Sequence, residues 1–283
     1  MIDNKLVILI KLIECKSYTK TALELNQTQP AISWSIKKLQ EEYNINIFDK
    51  NKGLFKLTKQ GKKLYEYAKL VINNENKLVE SLQTKKKLKV GSTLSIADYY
   101  IPKNAINFNS IESFMVYNTE TIINMIFDGE IDCAFIEGNF DHNELHSIKF
   151  TSANYICVSN NRTLNKVNNF DDLFRYTLLI REKGSGTRNI LESYLELNNY
   201  NINSFKDLYS VNNFNLIKES LINSDSISFM YENVCHKEIN ENKLMKVDIE
   251  GFSLKHDLYF VYLENNILNI EIQNYYKDVL KML

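Results

Sequence analysis

At 283 residues the chain is long enough for two or more domains around sizeable cores. Its 44% hydrophobic and 24% charged residues describe a soluble globular protein. No apolar run approaches a membrane span, and the start lacks the basic, apolar and small-residue order of a signal peptide. The net charge of −1 hides a division: residues 1–89 carry 18 lysines against 9 acidic residues, a balance of +9, which leaves −10 for residues 90–283. A basic head on an acidic body is the footprint of a protein whose head meets a polyanion. The basic groups of the head are all lysine, which attracts phosphate without the bidentate guanine contact of arginine. Cys15, Cys133, Cys157 and Cys235 are scattered without metal or redox spacing and read as reduced thiols of a cytosolic protein.

Asp3 is suited to cap a first helix reaching about Cys15, with Leu6, Ile10 and Ile13 as its apolar stripe. Ser17 caps a second helix through residues 19–25, and Asn26-Gln27 make a tight turn. Thr28 caps the third, with Pro30 in its first turn, where a missing N–H costs nothing. Ala31, Ile32, Ile36 and Leu39 recur at helical spacing and form a buried face. The other face carries Gln29, Ser33, Trp34, Ser35, Lys37 and Lys38, groups that hydrogen-bond, stack or neutralise charge. Two short helices joined by a polar turn make a helix-turn-helix. Residues 45–48 and 55–57 read as short strands around a basic turn, a wing whose Lys50 and Lys52 reach phosphates or the minor groove. Thr58 caps a long helix to about Leu82. Leu64, Ala68, Val71, Leu78 and Leu82 form a heptad-like seam on it, interrupted near Asn74 and Glu75. That seam packs either on its own domain or on a second chain. The charged stretch 83–87 is the best domain boundary.

From Leu88 the pattern changes to α/β. Strands are expected at 88–92, 114–117, 131–136, 155–158, 178–180, 209–211, 226–230 and 258–263. Helices are expected from about residue 96, at 121–127 and 189–197, and from 269 to the end. The alternation predicts parallel or mixed sheets. In such folds ligands bind at loops leaving the strands. Thr93 and Ser95 sit at one such turn, Asn118 and Thr119 at the next, and the small-residue turn Gly184-Ser185-Gly186-Thr187 precedes a helix. Backbone amides of that turn can approach an anion, with the helix dipole adding attraction. The hydroxyls either face a ligand or merely cap their helices. Arg188 either adds charge to the site or ties the loop down. His142 and His146 have a spacing that would suit a metal on a helix, without an obvious third ligand, so solvated loop histidines are the expectation. Gly184-Ser185-Gly186 is not a nucleophile elbow, and no phosphate-loop lysine motif or dinucleotide fingerprint is present. No catalytic set, cofactor or metal is expected.

Four blocks carry a resemblance. Residues 17–33 (SYTKTALELNQTQPAIS), 36–42 (IKKLQEE), 47–50 (IFDK) and 57–61 (LTKQG) stand in the order and spacing of the DNA-binding end of LysR-type transcriptional regulators, and the chain resembles that family. Residues 92–102 (STLSIADYYIP) and 181–188 (REKGSGTR) look most like the subgroup with regulators of sulfur assimilation (CysL-like) and carbon fixation (CbbR-like). The resemblance implies an α/β protein with an N-terminal winged helix-turn-helix (residues 1–60) and a long dimerisation linker helix (58–86). A two-lobed effector-binding domain like a periplasmic binding protein follows (88–283), with lobe I at about 88–159 and 264–283, lobe II at about 160–263, and crossovers near 158–161 and 262–266. It implies double-stranded promoter DNA, a small and expectedly anionic effector, and a homodimer or homotetramer in the cytoplasm as partners and setting. Paired recognition helices would then lie about 34 Å apart. The expected DNA-binding residues are Ser17, Thr28, Gln29, Pro30, Ser33, Trp34, Lys37, Lys38, Lys50, Lys52 and Thr58. Gln29 and Ser33 would read base edges, and Lys37, Lys38, Lys50 and Thr58 would hold phosphates. The expected effector residues are Thr93, Ser95, Asn118, Thr119, Gly184, Ser185, Gly186, Thr187 and Arg188. Three departures from the family pattern stand out. Trp34 replaces a basic or polar residue, and either stacks on DNA or packs on its own domain. The segment 108–114 is short, and Asp225 stands where the family has a glycine-rich turn, which disfavours an anion there unless Asp225 is paired. A rival reading is a solute-binding or sensor protein whose basic head makes protein contacts.

Overall fold

Side-chain caps set the helix starts of the N-terminal unit. Asp3 Oδ1 accepts from the Lys5 amide (2.9 Å), Ser17 Oγ from Lys20 (3.2 Å), Thr28 Oγ1 from Ala31 (3.4 Å) and Thr58 Oγ1 from Gly61 (2.9 Å). These begin α1 (Asn4–Cys15), α2 (Tyr18–Glu24), α3 (Gln29–Tyr43) and α4 (Lys59–Gln83). Each satisfies an amide the first turn leaves without a partner. The computed structural model describes residues 3–49, 55–83, 87–102, 110–142, 144–164 and 166–282. The chain divides into two units, Met1–Lys86 with Phe127–Glu130, and Lys87–Ile126 with Ile131–Leu283.

The core of the first unit joins Leu6, Ile8, Leu9 and Leu12 of α1, Ala22 of α2, and Ile32, Ile36 and Leu39 of α3 to Ile47 and to Leu64 and Ala68 of α4. Ile10 and Ile13, expected in the α1 stripe, are only half-buried. This helix is apolar almost all round, so spacing alone does not orient it. The two expected strands reduce, among the described residues, to a single bridge between Phe48 and Leu57. The expected seam on α4 is also divided. Leu64 and Ala68 are buried in this core, whereas Leu78 and Leu82 are exposed, Leu82 at 77%. Lys50, Lys52 and the hinge residues 84–86 lie outside the described residues.

The second unit contains β1 (Leu88–Thr93), α5 (Leu94–Tyr99), β2 (Ile111–Tyr117), α6 (Thr119–Phe127), β3 (Cys133–Ile136), β4 (His146–Ser159), β5 (Lys166–Val167), β6 (Thr177–Ile180), α7 (Gly186–Leu197), β7 (Asp207–Ser210), α8 (Phe214–Asn223), β8 (Ser226–Tyr231), α9 (Glu232–Asn240), β9 (Met245–Ile249), β10 (Leu254–Tyr262) and α10 (Asn269–Leu280). The strands form a mixed sheet in the order β2-β1-β3-β10-β4-β8-β6-β7, with β9 against β4 and β5 against β9. One half, β2-β1-β3, is parallel, and so is the other, β8-β6-β7. Antiparallel β4 and β10 join them: His146 to Lys149 lie beside Tyr262 to Tyr259, which also pair with β3, while Tyr155 to Ser159 pair with β8. The chain therefore passes from one half to the other inside these strands, ahead of the ends where a crossover was expected. The periodicity shows α8, α9, β5 and β9 poorly. α9 buries only Val234 and Cys235, and β5 has two residues.

Candidate functional sites: an exposed helix face and a buried carboxylate

In the first unit α3 divides as its spacing requires. Ile32, Ile36 and Leu39 face the core, while Gln29, Pro30, Ser33, Trp34 and Lys37 are exposed. Trp34 is 60% exposed, so it does not pack into its own domain. Ser35, expected on the polar face, is buried beside Ile36. The Lys38 ammonium is held by Glu41 at 2.8 Å, and the more exposed Lys37 lies 3.9 Å from the same carboxylate. Ser17, Thr28 and Thr58 act as helix caps. The Thr58 hydroxyl also donates to the Asn46 carbonyl at 2.5 Å, so its one proton is committed. The face thus presents exposed polar groups beside one aromatic ring, on a helix of the kind the major groove admits.

In the second unit the turns singled out by the sequence come together around a residue it did not single out. Glu137 follows β3 directly and is 2% exposed. Thr93, at the end of β1, and Ser95, in the first turn of α5, both donate their hydroxyls to its carboxylate. Thr119 donates to the Glu137 carbonyl (2.9 Å) and accepts from the Gly186 amide (3.1 Å), which ties the two halves of the sheet together. A side chain at Gly186 would place its Cβ 2.3 Å from that same carbonyl oxygen, so only glycine fits this approach. Gly184, at φ +85°, accepts through its carbonyl from the Glu120 amide (3.1 Å). Ser185 and Thr187 are buried, with their hydroxyls 3.2 Å apart. Asn118 caps α6 through its bond from the Thr121 amide (2.9 Å) and is half-buried. Arg188 ties the loop down, its guanidinium bonded to Glu192 (2.7 Å) and to the Arg181 carbonyl (3.2 Å).

Three tyrosines complete this cluster. Tyr155 donates to the Thr187 carbonyl at 2.7 Å. Tyr231 lies opposite Tyr155 in the strand register, with the rings 5.7 Å apart, and Tyr100 meets Tyr231 edge-on at 6.1 Å. The Tyr231 hydroxyl is buried without a hydrogen-bond partner among the described residues. Burial pushes the Glu137 carboxyl up, against the opposing pull of its two hydroxyl donors and of the Arg181 charge. Burial also raises all three tyrosines, and the Glu137 charge adds to it. Arg181 itself is committed to Glu182 (2.8 and 2.9 Å) and stacks 4.5 Å over Phe214. Asp225 is not in the cluster: it precedes β8, at the end opposite Tyr231, and accepts from Asn161 at 2.5 Å. His142 and His146 do not share a helix. His142 bonds Ser147 and packs tilted against Phe140, and His146 opens β4 and packs tilted against Tyr262.

Comparison with known proteins matches both units. Residues 4–62 match the "Bacterial regulatory helix-turn-helix protein, lysR family", and residues 113–274, more than half of the chain, match the "LysR substrate binding domain". The chain belongs to the LysR family. It is a DNA-binding transcriptional regulator with an effector-binding domain. Among relatives of this LysR-family chain, the HTH-type transcriptional regulator CysL of Bacillus subtilis is 28% identical over 96% of this chain and 97% of its own length. Full-length LysG from Corynebacterium glutamicum, solved with bound effector Arg, shares the fold at a TM-score of 0.69 and 11% identity, over 100% of this chain and 99% of its own. The regulatory domain of Synechocystis CcmR in complex with 2-PG does so at 0.58 and 18%, over 69% and 96%.

The exposed face of α3 lies inside the first matched region of this LysR-family regulator, and Thr119, Glu137 and the 184–188 loop lie inside the second. No helix among its described residues is long and apolar enough to cross a membrane. Sequence reasoning missed Glu137, Tyr155 and Tyr231. One signal was available for Glu137: an acid closing an apolar strand, just before a glycine, occupies the strand end where α/β sites gather.

Proposed function

We propose that this regulator reads double-stranded promoter DNA with the exposed face of α3 and responds to a small molecule taken up at the Glu137 cluster. The single observation that carries the first half is the division of α3, which buries Ile32, Ile36 and Leu39 and leaves Gln29, Ser33, Trp34 and Lys37 exposed on a lysine-rich unit. Gln29 and Ser33 read base edges, Trp34 meets a sugar or a thymine methyl, and Lys37 and Lys38 neutralise phosphates, with Lys50, Lys52 and Thr58 adding backbone contacts. Residues 1–60 act as the DNA-binding domain, 58–86 as the dimerisation helix and 88–283 as the effector domain in two lobes. The exposed Leu78, Val79 and Leu82 of α4 support pairing of two copies, and a homotetramer follows from two such dimers. The regulator works in the cytoplasm and catalyses no reaction. Ligand binding changes the angle between the lobes and so the spacing of the DNA-binding heads. LysG and CcmR are solved with ligands of different chemistry, so the effector follows from the residues lining each cluster.

The test is a gel shift of the full chain on the DNA upstream of its own gene against a shuffled duplex, at two salt concentrations. Preference for the upstream DNA, weakening as salt rises, is the expected result. Binding to neither duplex at low salt would overturn the reading and leave the head as a protein-contact surface.

A further inference from the structure

We infer that Glu137 is a built-in carboxylate seated on the Thr93 and Ser95 hydroxyls, so that this part of the effector site takes a hydrogen-bond donor of the ligand (an ammonium, amide or hydroxyl) and turns away an acid group. The inference deepens the reading of the cluster as the effector site and rests on it. It follows from counting protons. A hydroxyl has one to give. Thr93 and Ser95 give theirs to the Glu137 carboxylate, and Thr119 gives its proton to the Glu137 carbonyl. The Gly186 amide at the start of α7 is spent on Thr119. These four donors, on the turns an incoming acid would meet, are therefore already used. What Glu137 and the hydroxyls that hold it have left is accepting capacity: the remaining lone pairs of the carboxylate and of Thr93 and Ser95.

Charge points the same way. Among the described residues no cation forms an ion pair with Glu137, and the nearest candidate, Arg181, is neutralised by Glu182. A second acid beside Glu137 finds no cation there to offset it, whereas a donor or cation supplies the partner that burial has withheld. The buried Tyr231 hydroxyl, without a partner among the described residues beside Tyr155 and Tyr100, is an independent sign that the cluster is incomplete without a bound polar group.

The experiment compares the full chain with Glu137→Gln, which keeps the shape and removes the charge. Sulfate and malonate serve as acid probes and ethanolamine as the donor probe, in thermal-shift titrations at constant ionic strength. The variant is expected to bind the acid probes about tenfold tighter than the wild type, or more, and ethanolamine more weakly. Equal responses in the two proteins, or none to the acids in either, overturn the inference. Should Glu137→Gln fail to fold, Glu137→Ala with added acetate replaces it. Acetate then refills the seat and raises the melting temperature of the variant alone, and an effect no larger than that of chloride counts against the seat. Gel shifts separate this inference from the reading beneath it. Acid binding gained by the variant without any change in its DNA complex retains the role of Glu137 and removes the cluster as effector site. A DNA complex that responds to an amine, in a protein where Glu137→Gln gains no acid binding, does the reverse.

Discussion

The exposed face of α3 and the Glu137 cluster solve opposite problems. On α3 the functional groups point to solvent, and only the face behind them is packed. Gln29, Ser33, Trp34 and Lys37 cost the fold little and keep their hydrogen-bonding capacity for a partner. Around Glu137 nearly every polar group is buried, so each must first be satisfied within the protein, and Thr93, Ser95, Thr119 and Gly186 are consumed in doing so. A surface site can be listed residue by residue. A buried site is defined by what its hydrogen bonds leave over.

The sharpest way to break this comparison is on α3 itself, two residues apart. Ile32→Ala removes a fully buried side chain and is expected to lower unfolding stability in urea by about 2–5 kcal/mol. Trp34→Ala is expected to stay within about 0.5 kcal/mol of wild type in the same urea experiment while weakening DNA binding. Comparable stability losses would mean that Trp34 is part of the core after all. Next in size is Gly186→Ala, whose added carbon collides with the Glu137 carbonyl and the Thr119 hydroxyl. A loss of about 1–3 kcal/mol by calorimetry is expected, and a neutral result would show that the loop gives way.

Two predictions then sharpen the surface half. Gln29→Ala is expected to cost roughly 1–3 kcal/mol on the specific duplex and nothing on shuffled DNA, measured by fluorescence anisotropy. Equal losses on both would remove its base-reading role. Lys37→Ala is expected to weaken binding to all sequences alike and to flatten the salt slope by about one, and an unchanged slope would exclude a phosphate contact.

Periodicity and capping made the first unit legible almost to the residue. Asp3, Ser17, Thr28 and Thr58 cap the helices they precede because capping is a local bond, decided within three residues. The face of α1 was not legible, since a helix apolar on several sides leaves its orientation to its neighbours. The strand-to-helix turns of the second unit were legible as places, through Thr93, Thr119 and the 184–187 run. Their partners were not: Thr93 to Glu137 spans 44 positions and Gly186 to Thr119 spans 67. Ser35 and Asp225 are misread from sequence for the same reason. Each looks like its local neighbours but is placed by distant ones, Ser35 in the core and Asp225 at the far end of β8.

By itself, then, the sequence determined the helix-turn-helix, its caps, the exposed polar face of α3, the change to α/β at Leu88 and the family, because all of these are written in residues close together in the chain. Only the tertiary structure decided that β4 and β10 carry the chain between the halves of the sheet, that Arg188 is a tether, and that the Thr93 and Ser95 hydroxyls bond Glu137. The physical reason is that burial drives polar groups toward partners, and in a sheet assembled from distant segments the partner is chosen by the fold.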